Sequence, residues 1–213
     1  MLVVSDLSLG APQQPSSPAN EQEECVARLL ALVADYHPQK VALMGELFHP
    51  GADPGKLKVL LKTLLNTLRE HAAVILLGDP TPGLMSLLKA CDWHADVAPY
   101  WVCGRDLLLQ GNACNDFDVE PRITETRSRR GTVIIGGENP CLALKGSPIT
   151  YPCFLLSDEV AVLPAFSLYE DGNDIFGHQP QCELARKTTF RYAVAIRDRK
   201  LVPTRLHPHY PIP

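Results

Sequence analysis

Three carboxylates stand at matching places in the first half of the 213-residue chain. Asp6 follows the apolar run Leu2-Val3-Val4, Glu46 follows Val41-Ala42-Leu43-Met44 and Gly45, and Asp79 follows Ala73 to Leu77 and Gly78. Short β-branched or aliphatic runs cut off by polar residues read as buried strands ending in loops. If the strands lie side by side, the three acids share one rim. Carboxylates so placed repel one another unless a cation or bound protons offset them.

The segments between the strands supply the frame. Asn20 can cap a helix whose first turn carries Glu21, Glu23 and Glu24, favourable at the positive end of the dipole. Val26, Leu29, Leu30 and Val33 then fall on one helical face, and Tyr36-His37-Pro38 stops it. Asp53-Pro54 opens a second helix with Leu57, Leu60, Leu61, Leu64, Leu65 and Leu68 at helical spacing, and a third is expected over about Leu84 to Cys91. The first 92 residues therefore read β-α-β-α-β-α, which argues for a parallel sheet covered by helices, with ligands gathering at the carboxyl ends of its strands. The second half reads differently. Asp106–Gln110, Thr132–Ile135, Cys153–Ser157, Val160–Leu163, Tyr192–Ile196 and Leu201–Thr204 are short strand-like runs separated by Gly, Pro and Asn turns. They predict a second, largely antiparallel sheet. With no clear linker, residues 1–213 are expected to form a single domain.

Composition sets outer bounds. With 46% hydrophobic residues and a net charge of −4, the chain is an ordinary globular protein able to bury a core. No apolar run approaches the ~20 residues that span a bilayer. The opening MLVVSDLSLGAP lacks the basic and long apolar regions of a secretory signal, so a cytoplasmic protein is expected. The seven cysteines, at 25, 91, 103, 114, 141, 153 and 182, include no CxxC pair and mostly flank apolar residues, which predicts small buried hydrophobes. GADPGKL at 51–57 falls one residue and a Ser/Thr short of a phosphate-binding P-loop, and neither GxGxxG nor GxSxG occurs. His49 is expected to be structural, His178 a surface residue, and His207-Pro208-His209 a tail.

Charge is unevenly spread. Residues 1–55 hold seven acids against two bases, whereas residues 186–205 hold seven bases against Asp198 alone. A shorter basic patch comprises Arg122, Arg127, Arg129 and Arg130 with one glutamate, Glu125. Such asymmetry is what a phosphate-rich partner would select.

The rim segments, in order, resemble the motifs of calcineurin-like metallophosphoesterases. VVSDLSLG resembles their ADLHLG, MGELFHP their LGDLFH, and LLGDPT stands where GNHD would stand. DLLLQGN resembles the strand that ends in a histidine, and IIGGENP the closing GHxHP. LPAFSLYEDGNDIFG followed by RYAVAIRDRKLVP is similar to a bacterial branch of the superfamily, the DNA-ligase-associated repair phosphoesterases. The resemblance runs from about residue 2 to 204. It implies a four-layer α/β/β/α sandwich, two packed mixed β-sheets flanked by helices.

The resemblance also implies a two-metal chemistry, in which paired divalent ions clamp a phosphate and generate a metal-bound hydroxide. The matched positions keep Asp6 but carry Ser8, Glu46, Asp79, Pro80, Gln110, Gly137 and Asn139 where the family has histidines, a bridging aspartate and an asparagine. All five family histidines are replaced. The oxygen donors that remain, Asp6, Glu46, Asp79, Gln110 and Asn139, suit Mn²⁺ or Mg²⁺ rather than Zn²⁺. Pro80 has no proton to give a leaving group, a loss worth ~10²–10⁴ in rate. Two readings follow. In the first, the fold binds nucleic acid or a DNA-repair protein partner and is weak or inactive as a hydrolase, holding one divalent cation or none, with Arg122, Arg127, Arg129 and Arg130 or the 186–205 bases lining the contact. In the second, it is an active Mn²⁺- or Mg²⁺-dependent phosphoesterase or nuclease with an altered site.

Overall fold

The computed structural model describes residues 1–11, 21–49, 51–78, 82–93, 97–115, 118–144, 149–167 and 172–206. Asn20, Asp79, Pro80, and the histidines at 207 and 209 lie outside these residues. The described chain divides into two compact units, Met1–Ala98 with Phe166–Glu170, and Pro99–Ala165 with Asp171–Pro213.

In the first unit the elements run β1 (Leu2–Ser5), α1 (Glu21–Tyr36), β2 (Lys40–Met44), α2 (Pro54–His71), β3 (Ala73–Leu77), α3 (Pro82–Ala90) and β4 (Val97–Ala98). The strands form a four-stranded sheet in the order β1-β2-β3-β4, parallel throughout, with Val4 opposite Leu43 and Leu43 opposite Leu76. Parallel neighbours need a crossover, and the helices provide it. Their apolar faces are the ones the leucine spacing predicts. Leu57, Leu61, Leu64, Leu65 and Leu68 of α2 and Cys25, Leu29 and Val33 of α1 join Val4, Val41, Leu43 and Leu76 in one core. Asp53 caps α2, its carboxylate accepting the N–H groups of Gly55 at 2.8 Å and Lys56 at 3.1 Å. Helix α1 ends where His37 turns left-handed (φ 44°) before Pro38, its N–H still bonded to the Val33 carbonyl.

The second unit contains β5 (Tyr100–Cys103), β6 (Asp106–Gln110), a 3-10 turn (Gly111–Asn115), α4 (Glu120–Ser128), β7 (Val133–Gly136), β8 (Pro140–Ala143), β9 (Thr150–Leu156), β10 (Val160–Val162), β11 (Asn173–Asp174), α5 (Glu183–Lys187), β12 (Tyr192–Arg197) and β13 (Lys200–Arg205). Its sheet runs β11-β8-β9-β10-β7-β6-β5, with β12 paired to β9 and β13 to β12. Five of its eight pairings are antiparallel, as the sequence predicts, but the sheet is mixed, because β7 lies parallel to both β6 and β10 and β11 lies parallel to β8. Leu107, Leu109, Val133, Ile135, Cys153, Leu155, Ala193 and Ala195 share one buried face, and Val119, Ile123 and Ala185 from α4 and α5 join them. The protein is thus a mixed α/β fold with two sheets flanked by helices, the fold class the sequence predicts.

One expectation is corrected. Cys114 and Cys182, read as lone buried hydrophobes, are joined in a disulfide across 68 residues with Cα atoms 5.7 Å apart. Cys25, Cys91, Cys141 and Cys153 are buried free thiols. Burial pushes the Cys25 thiol up to about 11 and Cys153 up to about 12, so both stay protonated and inert.

Candidate functional site

In the first unit, the loop after β1 and the loop after β2 are laced together residue by residue. Asp6 N–H bonds the Met44 carbonyl (2.9 Å), Ser8 N–H the Glu46 carbonyl (2.9 Å), Leu9 N–H the Leu47 carbonyl (3.1 Å), and His49 N–H the Leu9 carbonyl (2.9 Å). Asp6, Ser8 and Gly45 all hold left-handed backbone, φ 56°, 45° and 73°. A non-glycine residue there is costly, and two of them in one loop mark a conformation the surroundings impose.

Asp6 is 2% exposed, and its side chain is the knot of this lacing. Oδ1 accepts the Glu46 N–H at 2.8 Å, and Oδ2 accepts the Ser5 hydroxyl. A Cβ on Gly45 would collide with this carboxylate, so glycine is needed there for space as well as for backbone. Glu46 comes within 3.4 Å of the Ser8 hydroxyl. Burial pushes the Glu46 carboxyl up; nearby Asp6 adds to the rise, while His49 and the Ser8 contact pull against it. His49 Nδ1 accepts the Gly51 N–H at 3.0 Å, the structural role expected of it.

A segment far along the chain completes this rim. Phe166 and Ser167 donate their N–H groups to the carbonyls of Ser5 (2.7 Å) and Asp6 (3.0 Å), and the Phe166 ring lies under the Arg28 guanidinium at 4.6 Å. The LPAF stretch thus buttresses the Asp6 turn, a role with no signal in its own composition.

The second unit has its own rim, where β6 and β7 end in register at Gln110 and Gly136. Gly137 (φ 85°) packs so closely on the Gln110 amide that a Cβ would sit 2.8 Å from Nε2, and Asn139 is left-handed at φ 48°. Between them lies Glu138, which sequence reasoning missed. It is 5% exposed, and its carboxylate accepts the N–H groups of Gln181 (2.8 Å) and Cys182 (2.7 Å). Its carbonyl accepts the Asn173 side-chain amide at 2.9 Å, and the Asn139 carbonyl accepts the Asn173 N–H at 2.7 Å. The disulfide fastens the same region, joining the turn just after Gln110 to Cys182 at the start of α5. Glu138, Asn173 and exposed His178 also border a cleft floored by Leu155, Val162 and Ile175.

The α4 arginines are exposed but largely neutralised. Arg122 (3.3 Å) and Arg129 (2.6 Å) pair with Glu125, and Arg127 with Glu159 at 3.1 Å. Arg130, just past the helix, has no carboxylate partner among the described residues.

Among the described residues, no three His, Cys, Asp or Glu side chains gather as metal ligands would. Of the first unit's three candidate carboxylates, Asp6 and Glu46 lie among the described residues and Asp79 does not. Both Asp6 oxygens accept hydrogen bonds from protein donors, and burial disfavours the charged form of Glu46. Nor is any helix of the described residues long and apolar enough to cross a membrane.

Compared by sequence with family models and with curated proteins, the chain matches none. Compared by structure, it is similar to the nuclease MPE of Pseudomonas putida, with a TM-score of 0.62 and 18% identity over 95% of this chain and 86% of that one. That likeness shows a shared fold.

Proposed function

We propose that this chain is a phosphoesterase-fold protein that binds nucleic acid and is weak or inactive as a hydrolase. One observation carries the reading: the Asp6 carboxylate, the sole family ligand kept at its matched position, is spent on holding the two rim loops together. The replacement of every family histidine supports it, since Ser8, Pro80, Gln110, Gly137 and Asn139 offer neither imidazole ligands nor a proton donor. Exposed bases with no carboxylate partner among the described residues, Arg130 just past α4 and Arg199, Lys200 and Arg205 in the 186–205 segment, supply the attraction for phosphate.

Calorimetric titration of chelator-stripped protein with Mn²⁺ tests the metal side of this reading, and fluorescence anisotropy of labelled DNA in EDTA tests the binding side. The expected result is no saturable Mn²⁺ binding, together with DNA binding that survives EDTA and weakens steeply with salt. The nuclease neighbour favours a second reading, in which Asp6, Glu46, Asp79, Gln110 and Asn139 serve as oxygen donors for Mn²⁺ or Mg²⁺ in an active phosphoesterase. Tight Mn²⁺ binding abolished in both Asp6→Ala and Asp79→Ala, with Mn²⁺-dependent phosphodiester hydrolysis, would overturn the first reading in favour of the second.

A further inference from the structure

The β12–β13 hairpin combines exposed aromatic and apolar surface with three cations, Arg199, Lys200 and Arg205, that have no carboxylate partner among the described residues. Its register places Tyr192 opposite Arg205, Val194 opposite Pro203 and Ile196 opposite Leu201. Side chains alternate faces along a strand, so these six residues share one face, while Ala193 and Ala195 point into the core. Tyr192 is 46% and Leu201 65% exposed, and Pro203 and Arg205 are exposed beside them. A strip about 20 Å long results, at ~3.3 Å per residue, with Arg205 at one end and Arg199 at the other.

The charges differ from those of α4. Among the described residues Arg199, Lys200 and Arg205 have no carboxylate partner, whereas Arg122, Arg127 and Arg129 do. The turn adds an independent observation. Asp198 (φ 49°) and Arg199 (φ 61°) are both left-handed, the geometry of a two-residue hairpin turn that strongly favours glycine at its second position. An arginine holds that place at a conformational cost that glycine would avoid. A residue kept where the backbone disfavours it points to use of its side chain.

We infer that the outer face of the β12–β13 hairpin is a binding strip for single-stranded nucleic acid, with bases packed on Tyr192, Ile196 and Leu201 and phosphates on Arg199 and Arg205. The inference deepens the proposed function and rests on its nucleic-acid reading. Single strands present unstacked base faces to aromatic and apolar side chains, and their backbone supplies the anions. A closed duplex presents mainly phosphate and sugar and would leave the apolar strip without a partner. Addition of a protein strand to the β13 edge is opposed by Pro203, which has no N–H, and by the flanking cations.

The test is fluorescence anisotropy of a labelled oligothymidylate in EDTA, at several salt concentrations, on the parent and four single variants. Tyr192→Ala should weaken binding about tenfold, the usual scale of one lost base stack. Arg199→Gly should weaken binding and make the slope of log affinity against log salt shallower by about 0.7, the value of one phosphate contact on a single strand. The same substitution should hold or raise the melting temperature, so its effect cannot come from unfolding. Arg205→Ala should act on the slope as Arg199→Gly does, and Lys58→Ala, which removes an exposed cation on α2, should leave it unchanged.

Parental affinity and slope in Tyr192→Ala, Arg199→Gly and Arg205→Ala would overturn the hairpin assignment while leaving nucleic-acid binding intact. Tighter binding of duplex than of single strand would overturn it as well. A parent protein that binds no oligonucleotide even at low salt would overturn the hairpin and the nucleic-acid reading together.

Discussion

Asp6 has to satisfy donors inside the protein before it can serve anything outside it. Its two oxygens receive the Glu46 N–H and the Ser5 hydroxyl in a place almost closed to water. Asp6→Ala should therefore lower unfolding free energy by about 1–3 kcal/mol through groups left unsatisfied. Denaturant unfolding with and without EDTA checks this; a loss seen only in the presence of metal would assign the carboxylate to a cation instead. Gly45→Ala tests the same contact from the other side. A methyl group there meets the carboxylate and leaves alanine in left-handed backbone, so a loss of at least 1–3 kcal/mol is expected in the same experiment. Asp6 was legible in the sequence because an acid directly after a buried strand is a local signal. Glu138 was not, because what makes it special is two N–H groups 43 and 44 residues away. A single acid between glycine and asparagine looks like an ordinary turn residue.

Helix α2 illustrates how an element can be read almost completely from local chemistry. Asp53 and Pro54 start it and leucines line its buried face, as their spacing requires. Hydrogen bonds from the Lys56 and Gly55 N–H groups hold the Asp53 carboxyl below its ordinary value. A carboxyl depressed on folding adds stability above its unfolded value, near 3.8, and that stability is lost as pH falls through the lower folded value. Asp53→Asn should therefore narrow the gap between the melting temperatures at pH 6 and pH 3, and calorimetric scans at the two pH values decide it. An unchanged gap would remove the charge from the cap's contribution. Helix α4 shows the opposite case. In EPRITETRS only Ile123 and Thr126 are buried, too little apolar matter for a period to show, so its arginines read as a charged patch rather than as one helix. Strands β5, β8 and β11 escaped for a related reason. Each is four residues or fewer and is defined by its pairing partner rather than by its composition.

At the scale of the whole chain, the alternating first half announced its parallel sheet, because each strand is followed by an amphipathic crossover. The second half concealed its mixture of directions, since strand direction depends on long connections that leave no local trace. The disulfide was equally hidden: Cys114 and Cys182 stand 68 residues apart, and neither belongs to a CxxC pair. Closing so long a loop is worth about 4 kcal/mol in the chain-entropy account. Reductant should therefore lower stability by several kcal/mol, and Cys114→Ser should make the protein indifferent to reductant; parental stability in reductant would show that the bridge contributes nothing. Alkylation of the folded protein should spare Cys25 and Cys153, whose thiols burial keeps protonated, and mass spectrometry reads this directly. The buttress on the Asp6 turn has a different consequence. Phe166 and Ser167 belong to the first unit although the chain has by then passed through much of the second. During vectorial synthesis at about 5–20 residues per second, the amino-terminal sheet emerges whole and then waits several seconds for the two residues that cover its Ser5 and Asp6 carbonyls. Over that interval a nascent chain stalled before residue 166 should be more open to protease at the Asp6 turn than one stalled after residue 206.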